Sequence, residues 1–186
     1  MRAKAEKINR SAGTKAVRVR AGGGPHGRVR AVALPADARA LATLEHVDYT
    51  DAFRLQTGLA EERTAEEWAR ALLEGAPAAT RTKLRRGWFA LGVQLGSIED
   101  ERLVLGWRVR RNSPECVILA ARSLLGMEAE VLVKREESTL LVSTLVHVSN
   151  PLARAVWTAF APKHRRVLNH LVKEAGNRAR GEARDN

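Results

Sequence analysis

The sequence predicts an α+β domain, a curved antiparallel sheet wrapped around one long C-terminal helix, with two short helices after the first strand. Three observations lead there. Apolar residues recur with period two from about residue 102 to 148, in runs separated by turns too short for parallel crossovers. Two segments with helical period precede that block. An amphipathic stretch beginning at Asn150-Pro151 follows it and is long enough to lie across a whole sheet.

The elements follow in order. Residues 1–35 read as a basic, flexible N-terminal extension, with Pro35 as the hinge into a folded body over 36–178 and a flexible tail over 179–186. Residues 1–40 hold ten Lys or Arg against Glu6 and Asp37, whereas the other 146 residues hold 22 basic and 19 acidic residues. The formal net charge of +11 therefore sits mostly in the leader. Gly22, Gly24 and Gly27 spell G-x-G-x-x-G, but Pro25 interrupts the motif and Arg28–Leu34 alternates instead of opening a helix, so no dinucleotide site is expected.

Asp48–Gln56 alternates as a strand, with Tyr49, Asp51, Phe53 and Leu55 on one face. Thr64-Ala65-Glu66-Glu67 is a capping box, and the helix it opens stops at Gly75 and Pro77. Thr80, Leu84, Trp88 and Leu91 mark a second helix that ends by Gly92. From Arg102, Leu103, Leu105, Trp107 and Val109 alternate as one strand, and Asn112-Ser113-Pro114 turns the chain. Cys116–Arg122 is too uniformly apolar to assign faces. Met127, Ala129, Val131 and Val133 form the face opposite Glu128 and Glu130, which are therefore expected in solvent. Leu140–Val148 is the last of five strands. The final helix begins with Asn150 as N-cap and Pro151 at N1, is kinked by Pro162, and ends at Gly176-Asn177.

Asp48-Tyr49-Thr50-Asp51-Ala52-Phe53, Thr144-Leu145-Val146-His147-Val148, Val156-Trp157 and Pro162-Lys163-His164-Arg165-Arg166 carry a resemblance. Over about Asp48 to Lys173 the chain resembles the actinobacterial domain of unknown function 2867 family, in the START-like, polyketide-cyclase-like (SRPBCC) superfamily. The resemblance implies a helix-grip fold that encloses apolar ligands between sheet and helix. It implies no catalytic residues. With five strands rather than seven, a small or filled pocket is expected.

Composition excludes several chemistries. One cysteine, Cys116, excludes a disulfide scaffold and a multi-cysteine metal site, fits a reducing cytoplasm, and reads as an inert buried thiol. No apolar run is long enough to span a membrane, and no signal peptide is visible. His164 and His170 are six apart and cannot share a helix face as metal ligands, and no G-x-S-x-G elbow exists. No catalytic residue, metal or cofactor is assigned.

The expected site is a cavity under the C-terminal helix. Phe53, Trp107, Val156 and Phe160 form its walls, and Tyr49, Asp51 and His164 its polar contacts. The leading expectation is a binding domain for an apolar, lipid-like or polyketide-like small molecule. A cyclase- or isomerase-like enzyme using Asp51 and His164 for proton transfer is the alternative. A third is an adaptor whose basic arm binds nucleic acid. His147 keeps either a functional or a structural role, its face being undecided. Lys163, Arg165, Arg166 and Lys173 read as a solvated face with at most an anion preference. Oligomeric state is not legible.

Overall fold

The computed structural model describes residues 27–185. An antiparallel sheet forms its centre. Among the described residues it has eight strands: β1 (Val29–Ala31), β2 (Tyr49–Gln56), β3 (Val93–Gln94), β4 (Leu103–Val104), β5 (Trp107–Asn112), β6 (Cys116–Ser123), β7 (Met127–Glu136) and β8 (Thr139–Val148). The order is β1-β2-β8-β7-β6-β5-β4, with β3 paired to the end of β6. The one-turn helix α1 (Ala36–Arg39) follows β1, and α2 (Ala65–Leu73) and α3 (Ala78–Ala90) follow β2. The chain closes with α4 (Pro151–Asp185). β2 and β8 pair, which brings Asp51 opposite Thr144 and Phe53 opposite Val142.

The sheet is covered on both sides, and alternation along each strand divides the core. On the inner side Phe53, Leu55, Val117, Leu119, Val133 and Val142 pack under α2 and α4. On the outer side Ala52, Ile118, Leu132, Leu141 and Leu145 pack under a strap that carries Ala38 and Leu44. This explains the unreadable apolar run of β6. Cys116 and Ile118 face the strap while Val117 and Leu119 face the helices, so neither face is polar.

Local chemistry sets the inserted helices. The Thr64 hydroxyl accepts from the Glu67 amide at 3.2 Å while Glu67 accepts from the Thr64 amide at 2.7 Å, completing the capping box. Trp68 is fully buried, and its indole donates to the Ala60 carbonyl at 3.0 Å. α3 behaves differently. It buries none of its 13 residues, Leu84 and Trp88 are half-buried, and Phe89 stays exposed.

Five expectations are corrected. The boundary near Pro35 is too late, because Val29–Ala31 pairs with β2 and the Val32 amide donates to the Ala52 carbonyl. Gly22 and Gly24, with the rest of residues 1–26, lie outside the described residues. The run from Leu103 is two strands, not one. Leu105 and Gly106 both adopt positive φ, at 49° and 88°, which makes the tight reversal between β4 and β5. Leu105 is held there by its buried side chain and by an amide that donates to Glu74 at 2.8 Å.

The helix end at Gly176-Asn177 and the flexible tail are corrected together. α4 runs on to Asp185, 35 residues in all, with Pro162 inside it. Gly176 is a point of close approach to Leu55, not a stop. Eight strands replace the five expected. Finally, Glu130 is fully buried, because the strap covers the face assigned to solvent.

Candidate functional site

Three elements build the space under α4. β2 presents Tyr49, Asp51 and Phe53 on its inner face, β8 presents Thr144 beside Asp51, and β5 presents Trp107. α4 crosses them with Trp157, Phe160 and His164 at i, i+3 and i+7, one stripe of the helix.

Asp51 is the polar centre. Its carboxylate accepts from the Tyr49 hydroxyl at 2.9 Å and from the Thr144 amide at 3.2 Å. His164 Nε2 lies 3.0 Å from the Thr144 hydroxyl and 3.6 Å from Asp51 Oδ2. Burial pushes the His164 imidazole below its ordinary pKa, against the opposing pull of the Asp51 carboxylate. Burial, then Asp51, holds the Tyr49 phenol above its ordinary range. Trp157 covers this group, with its ring 5.1 Å from Tyr49 edge-on and 5.4 Å from His164.

Beside the cluster lies an internal cavity of about 70 Å³, walled by Trp88, Trp107, Trp157, Phe160 and His164 among others. Two of those walls carry unmatched donors. Trp107 Nε1 and Trp157 Nε1 are buried and have no hydrogen-bond partner among the described residues. An unmatched buried donor costs about 1–3 kcal/mol, and both indoles belong to side chains that line this cavity. The cavity shares Leu84, Trp88, Phe160, His164 and Val167 with a larger groove of about 930 Å³ between α3 and α4.

Of the residues expected at this site, Tyr49, Asp51 and His164 come together as one hydrogen-bonded cluster, and Trp107 and Phe160 line the cavity. Phe53 and Val156 are not among its walls. Phe53 is buried in the core under the Arg165 guanidinium, 5.9 Å from its ring. Val156 is half-buried in the cluster around Trp157. Thr144 and Trp157 were not expected. The Trp157–Phe160–His164 spacing is readable in the sequence, but the role of Thr144 depends on strand register, which is not.

The remaining candidates take other places. His147 is on the outer face, its Nδ1 2.9 Å from Asp48 Oδ2. Asp48 also accepts from the Val148 amide and from Arg154, and these contacts, the amide foremost, hold its carboxyl at about 2. The group ties the start of β2, the end of β8 and the first turn of α4 together. Cys116 is a buried free thiol, and burial raises its pKa. Glu128 pairs with Arg122 at 3.2 Å, and Glu130 is engaged by Thr43. Among the described residues no helix is long and apolar enough to cross a membrane. No protein-family model, curated protein or solved structure matches the chain.

Proposed function

We propose that this chain binds an apolar small molecule carrying hydrogen-bond acceptors, in the cavity between the sheet and α4. The observation that carries the reading is the pair of unmatched indole donors, Trp107 Nε1 and Trp157 Nε1, on one apolar cavity. A guest with a carbonyl or hydroxyl oxygen recovers the lost hydrogen bonds while its carbon framework stays out of water. About 70 Å³ holds only two waters' volume, so a larger guest extends past Phe160 and His164 into the α3–α4 groove. The order of elements supports a helix-grip architecture of START-like type, and the resemblance to the domain of unknown function 2867 family belongs to the same proposal.

Native mass spectrometry of the full chain, before and after solvent extraction, tests this. A stoichiometric excess mass that extraction removes, and that Trp107→Phe or Trp157→Phe reduces, is the expected result. A bare mass in both samples, with no uptake of the neutral apolar probe phenyl-naphthylamine, overturns it. A second reading, a cyclase- or isomerase-like enzyme, rests on the 3.6 Å approach of His164 to Asp51. Against it, Asp51 is already occupied by Tyr49 and the Thr144 amide. A His164→Ala variant that keeps the guest but loses its turnover would favour that second reading.

A further inference from the structure

The α3–α4 groove differs in chemistry from the cavity it opens into. α3 carries Arg81, Lys83, Arg85 and Arg86 and no acidic residue. Lys83 and Arg86 from α3, and Lys163 and Arg166 from α4, all line the groove. None of these four cations has an ion-pair partner among the described residues. That contrasts with Arg54, Arg70, Arg102, Arg122 and Arg135, each of which pairs with a carboxylate. Four like charges facing one groove repel each other unless an anion joins them. The groove floor, by contrast, is apolar, with Trp88, Phe160 and Val167 leading inward to the cavity.

From this juxtaposition we infer that the molecule bound is a single-chain anionic amphiphile, its acidic head held between α3 and α4 by Lys83, Arg86, Lys163 and Arg166 and its apolar chain directed past Phe160 so that an oxygen at the far end meets the indole donors. The inference rests on the binding reading above and names the ligand class of that same site. The head is a carboxylate or a phosphate monoester, both of which these cations suit. The groove of about 930 Å³ falls within the range of small-molecule sites, which favours a discrete ligand over a polymer backbone.

Titration of the full chain by calorimetry with 12-hydroxydodecanoate, 12-hydroxydodecyl phosphate and the neutral alcohol 1,12-dodecanediol, each below any aggregation concentration, tests the assignment. Both anions should bind about tenfold or more tightly than the alcohol, with affinity falling as salt is added. The tighter of the two anions identifies the head group. A Lys163→Gln/Arg166→Gln variant, altered only at exposed positions, should lose that advantage and bind the diol unchanged. Equal binding of the anions and the alcohol overturns the head-group site and leaves the binding cavity standing. Anion binding that the double variant does not weaken overturns the placement. Failure of all three to bind overturns both readings.

Discussion

Glu130 shows how a single side chain fastens two layers. Its carboxylate is fully buried, accepts from the Thr43 amide at 3.0 Å and from the Thr43 hydroxyl, and lies 3.4 Å from Arg110 Nη1. The strap thus hydrogen-bonds to the sheet at a point where both would otherwise expose unmatched groups. Removing the acceptor takes a charged partner from the Thr43 amide and hydroxyl, while Arg110, whose side chain is 41% exposed, keeps its bond to the Thr43 hydroxyl and turns to water. Glu130→Ala should therefore lower stability by about 1–2 kcal/mol, the worth of hydrogen bonds to a charged acceptor. Urea denaturation measures it, and a loss no larger than that of an exposed substitution such as Glu137→Ala would show that the contact is dispensable. Alternation correctly assigned Glu128 and Glu130 to the face opposite Met127 and Val131. What it could not supply was the cover on that face, since residues 32–47 have no period that marks them as a sheet-packing layer.

At the scale of the element, α4 carries most of what the sequence concealed. Its N-terminus was legible because caps are local. The Asn150 side chain accepts from the Ala153 amide at 2.8 Å, and Pro151 follows in the first turn. Its C-terminus was not legible, because Gly176-Asn177 has the composition of a helix stop while tertiary contact keeps it helical. A Cβ at Gly176 would lie 2.8 Å from Leu55 Cδ2, and Leu55 is fully buried, so the glycine lets α4 approach β2 closely. Gly181 has nothing within 4 Å of the same position. The two glycines should therefore respond oppositely to alanine. Gly181→Ala gains up to about 1 kcal/mol of helix propensity. Gly176→Ala sets that same gain against an overpacking cost of about 1–3 kcal/mol and should be destabilising on balance. Thermal unfolding of both variants checks the contrast. Adding Leu55→Val to Gly176→Ala should recover part of the loss, and an additive outcome would mean that Leu55 is not the neighbour that resists. The β4–β5 reversal has the same lesson. Leu103, Leu105 and Trp107 satisfy strand alternation, and only the backbone shows that Leu105-Gly106 turns instead.

At the scale of the molecule, charge and cover are both asymmetric. α3 and α4 together carry 12 basic and three acidic residues, while the rest of residues 27–185 carries 13 basic and 17 acidic. The near-neutral body expected from the sequence is thus a basic helical layer against a mildly acidic sheet and strap. Summing charge along the chain could not reveal this, because α3 and α4 are separated by the whole run of strands. The site was half legible for the same reason. Residues within one element, such as Tyr49 and Asp51 or Phe160 and His164, were grouped correctly, whereas Thr144 and Trp88 reach the site only through long-range packing. The N-terminal boundary yields the sharpest test at this scale. A chain starting at Gly27 retains β1, the Gly27 amide to the Gln56 carbonyl, and the Gln56 amide to the Arg28 carbonyl. A chain starting at Ala36 loses all of these along with half-buried Val29, Val32 and Leu34, and leaves β2 as an open edge. Losing several ladder hydrogen bonds and three half-buried apolar side chains should cost about 3 kcal/mol. For a domain of this size that corresponds to a melting temperature lower by roughly 5–10 °C. The exposed edge should also pair between copies, seen as concentration-dependent dimers or aggregates in size-exclusion chromatography. Equal melting temperatures and monomeric elution for both chains would restore the boundary to Pro35 and reduce β1 to a strand the fold does not need.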